Sequence, residues 1–477
     1  MSAPMKMKAT IPNLFEKENL LTFTINNINV SYANAIRRVI LSEIPTVVFR
    51  TFPHEKNDAI FNINTSRLNN EILKQRLSCI PIHNIDLDLD IDLADLLMEI
   101  DVNNTSDTII YVTTADFKIK NTKTDTYLSD DTQKKIFPPD TITNQYIDFC
   151  RLRPKLSDSI PGEHLKMSCK FSIGIAKENG SFNVTSVCAY ANTPDLMKIE
   201  EASHAKKTEL EDKYEDPEDV KYQLKDWELL GAKRITLPDS FDFKIESIGV
   251  FNNTDIVKKA IKIIIKKLQN VIDLYTQENK YIINSEVTIP NCFDIIMEND
   301  DFTIGKILEF TLYNNYYLNA KTITYCGFSK PHPHINISII RIGFKEPTDK
   351  NTVVEYLISV AGEAIIYYKE LLSELGETII EEPLPKAPPS KAPSKAPSKA
   401  PSKAPLSKAP SKAPLSEASS SKAPLSEASS SKAPLSEASS SKAPQNETPL
   451  SEESITIKKK KTPVATKSTK SKANIVE

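Results

Sequence analysis

The sequence predicts an α+β protein of two related α/β units, the first interrupted by a mostly-β insertion and the second followed by a low-complexity tail. Three observations predict it. Two long amphipathic stripes recur, one at Val257, Ile261, Ile264, Leu268, Val271 and Leu274, the other at Val354, Leu357, Val360, Ala361, Ala364, Tyr368, Leu371 and Leu375. Each stripe closes a segment that also holds a few strands and a short helix with an early Ser or Thr. Beyond Glu381 the composition changes abruptly to KAPPSKAPSKAP and then three copies of SKAPLSEASS. Wide apolar faces, one per unit, suit helix-on-helix packing between the units.

In chain order, Leu20-Leu21-Thr22-Phe23-Thr24-Ile25 alternates as a strand does. Ser31 reads as the cap of a helix through Ile44, with Ala33, Ile36, Ile40 and Ile44 on one face and Pro45 as its stop. Thr46 to Phe49 restarts a strand, and a short helix is expected over 69–77. Strands follow at Thr108–Thr113, Phe117–Lys120, Lys166–Ile175 and Phe182–Tyr190, then a charged connecting helix over 195–230. Phe241–Ile248 is a strand, and Thr254 is the expected cap of the first long helix. The second unit reads as strands at 286–290 and 293–297, a helix at 303–313, strands near 322–328 and 335–342, and a helix at 351–375. The domains expected are 1–82 with 235–280, an insertion over 83–234, a second unit over 281–380, and a disordered tail over 381–477.

Charge separates the body from the tail. The tail carries 17 Lys against 9 acidic residues, a net of +8, so residues 1–380 carry 43 basic against 54 acidic, a net of −11. An acidic body argues against nucleic acid as its main partner, because phosphate binding rests on clustered Lys and Arg. The tail holds 15 of the 31 prolines and no Gly, Trp, Tyr or Phe, so it has little apolar mass to offset chain entropy. It reads as an extended spacer, with Lys458–Lys461 and its many serines as the alternative, functional reading. The amino end lacks a signal-peptide apolar region and no run approaches a membrane span, so the expectation is a soluble intracellular protein with no membrane partner.

Six cysteines (Cys79, Cys150, Cys169, Cys188, Cys292, Cys326) include no CxxC pair, and they read as buried thiols. Cys326, His332 and His334 offer the residue types of a partial zinc set but no close ligand pair, and no metal or cofactor is expected. The acidic alternation Asp86–Asp95 reads as a solvated strand face rather than a metal site. No recognisable catalytic constellation is visible among the scattered carboxylates, so no catalytic residue is expected. Arg37 and Arg38 are adjacent on a helix and point about 100° apart. They are either solvated or part of an interface, where a planar fork binds carboxylates and carbonyls.

Four segments carry a resemblance. Asn34-Ala-Ile-Arg-Arg-Val-Ile-Leu-Ser-Glu-Ile-Pro-Thr46, Asn70-Glu-Ile-Leu-Lys-Gln-Arg-Leu-Ser-Cys-Ile-Pro-Ile82, Gly174-Ile-Ala-Lys-Glu-Asn179 and Phe241-Asp-Phe-Lys-Ile-Glu-Ser-Ile-Gly249 occur in one order over about residues 18–275. Together they resemble the α family of RNA polymerase subunits: bacterial α, archaeal D and the third subunit of eukaryotic RNA polymerase II. Asn299 to Leu308 and Gly327 to Pro333 resemble the small partner, archaeal L or the eleventh subunit, except that Phe302 stands where that family usually has His.

The resemblance implies two α-type dimerisation modules fused in one chain and packed through their helices. Some archaeal D subunits hold an iron–sulfur cluster in the insertion and the eukaryotic counterpart holds zinc, but Cys150, Cys169 and Cys188 lie 19 apart without the tight spacing either needs. The implied role is a non-catalytic assembly platform for the two largest polymerase subunits, with other small subunits as further partners and DNA met only through the complex. The implied interface residues are Asn34, Arg37, Arg38, Glu43, Glu71, Arg76, Val257, Ile261, Ile264, Leu268, Thr303, Gly305, Leu357, Val360 and Ala364. Fused chains of this type are a feature of some large DNA viruses of eukaryotes, which implies host cytoplasm or virion (nucleus also open). The competing reading from another class is a free nucleic-acid-binding or virion structural protein on the same fold; a stand-alone enzyme has no support.

Overall fold

Alternating Leu21, Phe23 and Ile25 bury one face of β2 (Leu20–Asn26), which pairs with the exposed edge strand β1 (Leu14–Lys17). The helix α1 (Val30–Ser42) and strand β3 (Thr46–Val48) follow. Next come β4 (Ala59–Asn64), α2 (Asn70–Ser78), β5 (Leu96–Asn103), β6 (Ile110–Thr113), β7 (Lys118–Asn121) and β8 (Thr126–Tyr127). The chain continues through α3 (Asp130–Ile136), β9 (Asp148–Leu152), β10 (His164–Lys170), β11 (Ser172–Gly174) and β12 (Thr185–Pro194). Then α4 (Leu196–Lys213), α5 (Pro217–Leu230), β13 (Thr236–Ser247) and α6 (Asn253–Gln277) complete the first part. The last part is β14 (Ile282–Asn284), β15 (Cys292–Glu298), α7 (Phe302–Leu312), β16 (Ile323–Ser329), β17 (Ile337–Phe344) and α8 (Lys350–Glu374). The structure, a computed structural model, describes residues 8–85, 93–157, 159–277 and 279–376. The expectations for the tail over 381–477, and for most of the acidic run (86–92), lie outside the described residues.

Two cores organise these elements. The first joins the antiparallel sheet β1-β2-β13-β12 and the antiparallel sheet β14-β15-β17-β16 through α1, α6, α7 and α8. The second sits within the sheet β4-β10-β5-β7-β8 and its covering elements, including α2 and the β6–β9 pair. Core membership therefore divides the chain elsewhere than 82/83 and 234/235. Val47 to Ile82 belong to the second core, although that stretch precedes the expected insertion. Strand β12, expected within the insertion, pairs with β13 in the first sheet. Pairing partners distant in sequence decide this, and a strand's own alternation does not reveal them.

Several local expectations need correction. Asn29, not Ser31, caps α1: its side-chain oxygen accepts from the Ser31 N–H at 2.9 Å. Helix α6 starts at Asn253, one residue before Thr254. No strand forms at 286–290; the strand is Ile282–Asn284, and residues 285–291 turn into β15 with Asn291 at φ +51°. The charged stretch 195–230 is two helices rather than one, with Asp216 capping α5 and Pro217 at its first position. Phe182 ends a short 3₁₀ turn instead of beginning a strand.

Among the described helices, α6 and α8 make the most extensive helix–helix contact. Val257, Ile261, Ile264 and Leu268 on one side and Leu357, Val360, Ala361 and Ala364 on the other are all essentially inaccessible to solvent. The alanines let the helices approach closely, and each buried Leu or Ile contributes about 1.5–3 kcal/mol relative to exposure. No described helix is long and apolar enough to cross a membrane.

Candidate assembly interface

The residues that join the first and second sheets form a site built mainly on α1 and α7. Asp301 caps α7 by accepting from the Thr303 N–H at 2.8 Å. Its other oxygen accepts from the Arg38 guanidinium at 3.0 Å, and Arg38 Nε also donates to the Thr303 hydroxyl at 2.9 Å. A residue of α1 thus grips the first turn of α7. Lys267 of α6 lies 2.6 Å from Glu43 and 3.8 Å from Asp300, while Lys177 lies within 4 Å of both Glu43 and Asp301. Lys177 is placed by its own backbone N–H, which donates to the Ser42 carbonyl at 2.7 Å. Three cations and three carboxylates therefore alternate across the junction.

Burial raises both aspartates of this cluster, but their different partners leave them shifted in opposite directions. For Asp301, burial works to raise the carboxyl, but the Thr303 hydroxyl and N–H together with Arg38 and Lys177 outweigh it and bring the pKa down to about 2. Asp300 is raised, because burial outweighs the attraction of Lys267 and its neighbours Asp301 and Glu43 add repulsion. A cleft of about 570 Å³ opens beside the cluster, lined by Arg38, Lys177, Asp301, Phe302 and Lys330 among others.

A second set of contacts is aromatic. Tyr32 of α1 shares a 2.7 Å hydrogen bond with the Thr311 hydroxyl of α7, and its own carbonyl accepts from Tyr368 Oη of α8 at 3.0 Å. Tyr367 Oη donates to the Asn27 carbonyl at 2.7 Å, and Tyr275 Oη of α6 donates to the Ile296 carbonyl of β15 at 2.7 Å. Burial raises all four phenols, keeping them neutral donors. These bonds satisfy buried polar groups across the junction, so they fix its register as well as its hydrophobic area.

The structure brings most, not all, of the sequence-selected residues together. Arg38, Glu43 and Thr303 meet in the charge cluster, and the α6 and α8 residues meet in the core. Gly305 lies against Phe328: a Cβ there would come within 2.0 Å of that ring, which explains the glycine. Phe302 is exposed and stands edge-on to Phe328 with centroids 5.1 Å apart. Asn34 and Arg37 bond to each other on the same helix. Glu71 is exposed on α2, where it meets Lys74. Arg76 donates to the Phe149 and Asp148 carbonyls at 2.7 and 2.5 Å, which ties α2 to β9 at the second core and not to the α1–α7 junction.

Sequence reasoning did not select Tyr32, Lys177, Lys267, Tyr275, Asp300 or Asp301 as site residues. Asp301 carried a readable signal, a cap two residues before Thr303, and Lys177 and Asp300 lie in segments that carried the resemblance, whereas Tyr32, Lys267 and Tyr275 stand in none of them. Cys326 points to the Glu309 carbonyl with its thiol pushed up to about 12 by burial, while His332 and His334 lie exposed on the loop before β17. Cys150 and Cys169 are buried in the second core and Cys188 in the first. Among the described residues no group of three or more His, Cys, Asp or Glu is arranged to hold a metal.

Residues 22–268 match the RNA polymerase Rpb3/Rpb11 dimerisation domain. The chain is 24% identical over 299 residues to the DNA-directed RNA polymerases I and III subunit RPAC1 of Homo sapiens, spanning 54% of this chain and 81% of that protein. It is 26% identical over 279 residues to the DNA-directed RNA polymerase subunit Rpo3 of Pyrococcus horikoshii, spanning 54% of this chain and 95% of that one. A conjugation stage-specific protein of Tetrahymena thermophila is 23% identical over 202 residues, or 40% of this chain and 61% of that relative, so less than two thirds of its length is spanned.

Proposed function

The chain belongs to the RNA polymerase Rpb3/Rpb11 dimerisation-domain family, and from that premise we propose that it is a non-catalytic assembly subunit of a DNA-directed RNA polymerase with a D-like and an L-like module fused in one polypeptide. The observation that carries this reading is the mutual burial of the α6 and α8 stripes, which unites a sheet from each half around one core. In this reading residues 281–376 supply the L-like partner that separate-chain systems recruit from solution. Covalent linkage replaces that encounter with an effective concentration on the order of millimolar, so pairing does not depend on subunit abundance.

The two largest subunits dock on the paired platform and supply the catalytic carboxylates, and other small subunits complete the complex. DNA contacts this chain only through that assembly. Fusion of the two modules, together with an Asn-, Ile- and Lys-rich composition suited to an AT-rich genome, supports a large DNA virus of eukaryotes as the source, with action in host cytoplasm or virion.

Affinity purification of the tagged chain, with mass spectrometry of its partners, tests the reading. Both large polymerase subunits are expected in fixed ratio; recovery without either one refutes it. Arg37→Ala is expected to weaken capture of the second-largest subunit while the chain stays folded.

A further inference from the structure

Helices α1 and α7 are equivalent positions of an internal repeat. Asn29 caps α1 and Asp301 caps α7, each following a central strand of its sheet. Counting from the caps, Ser31 matches Thr303, Ala33 matches Gly305, Asn34 matches Lys306, and Arg37 matches Glu309. The cross-contacts obey the same register: Arg38 meets Thr303 near one end of the pair and Tyr32 meets Thr311 near the other, so the helices run antiparallel about a local two-fold relation. An independent feature fixes the equivalence. The Arg37 carbonyl lies 3.9 Å from the Cys188 thiol of β12, and the Glu309 carbonyl lies 3.8 Å from the Cys326 thiol of β16.

At this matched position the charge is reversed. Arg37 is half-buried, and among the described residues its guanidinium bonds only the neutral Asn34 amide, at 3.1 and 2.8 Å. A guanidinium has five N–H donors in a planar fork, so donors remain to be met, and among the described residues its charge forms no ion pair with a carboxylate. Glu309 instead pairs with Lys306 at 2.5 Å, one turn back on α7, in the place that Asn34 holds on α1. One end of the helix pair thus carries an unneutralised cation and the other a closed ion pair with a carboxylate.

We propose that this reversal sets the orientation of the platform: a carboxylate-bearing segment of the second-largest subunit docks on Arg37, and Glu309, by occupying Lys306, denies the same segment a cation at the equivalent place on α7. The inference rests on the polymerase-platform reading. A symmetric pair would accept one partner at both ends, whereas here a carboxylate meets an unneutralised guanidinium at one end and, at the other, a lysine already paired with Glu309.

The test uses the full chain incubated separately with each of the two largest subunits of its own polymerase. Arg37→Glu is expected to reduce capture of the second-largest subunit by about tenfold or more and to leave the other unchanged. Arg37→Gln should give a smaller loss, and Arg37→Lys should retain part of it. The double variant Lys306→Asn with Glu309→Arg copies the α1 end onto α7, and it is expected to bind a second equivalent of the subunit that Arg37 captures. Thermal unfolding at the wild-type temperature establishes that each variant is folded. Wild-type capture of neither subunit overturns the platform reading itself. Wild-type capture that neither Arg37→Glu nor the double variant alters overturns the orientation proposal alone, as does equal loss of both subunits from folded Arg37→Glu.

Discussion

Replacing Asp301 by Asn isolates the charge at the centre of the α1–α7 junction. Asparagine caps helices as well as aspartate does, so the bond from the Thr303 N–H is kept and only the negative charge goes. Asp301 is 20% exposed and its partner Arg38 33%, so solvent screens the pair only in part. Moving a carboxyl from its ordinary 3.8 to about 2 corresponds to roughly 2 kcal/mol of stability at neutral pH. The sign follows from the direction. A depressed folded pKa contributes stability above the ordinary carboxylate range and loses it as pH falls through 4 toward 2. Asp301→Asn should therefore lower stability by about 2 kcal/mol at pH 7, with the difference from wild type closing near pH 2. Asp300 gives the opposite sign: its raised pKa means that its ionisation opposes folding, so Asp300→Asn should be neutral or stabilising at pH 7, and that gain should fade in acid. Urea unfolding followed by circular dichroism at pH 7 and at acid pH reads both. An Asp301→Asn midpoint equal to wild type at pH 7, or a loss that persists undiminished at pH 2, refutes the assigned role of the cluster.

Gly305→Ala places a Cβ within 2.0 Å of the Phe328 ring, and the forced repacking should cost about 1–3 kcal/mol in the same unfolding assay. Leu268→Ala opens a cavity in the buried face of α6 and should cost about 2–5 kcal/mol; a loss under ~1 kcal/mol would mean that the α6–α8 contact is not a packed core. Deleting 381–477 should leave the unfolding of the remaining chain unchanged and the recovery of polymerase partners intact, and failed recovery would contradict the spacer reading of the tail.

The long stripes were legible because burial on one side of a helix imposes a 3.6-residue period that needs no knowledge of the partner. Val257, Ile261, Ile264 and Leu268, like Leu357, Val360 and Ala364, could be assigned to a core before any core was seen. The charge cluster was less legible. Glu43 was marked by its motif, and Lys177 and Asp300 lie in segments that carry the resemblance, but nothing local says that they and Lys267, far apart in the chain, meet one another. Arg76 shows the reverse limit: its motif marked it for an interface, whereas its geometry commits it to the Phe149 and Asp148 carbonyls within the second core.

What the sequence determined by itself was local or periodic: the two long helices, the short capped helices, most strands of the second unit, and the change of composition near Glu381. Those depend on interactions between residues a few positions apart, which one chain segment records in full. Only the tertiary structure decided that β12 joins β13 while Val47 to Ile82 join the other core, and that Arg38 reaches Thr303 and Asp301. Such pairings depend on which distant segments fold into contact, and a side chain's identity does not specify its neighbours across two hundred residues of chain.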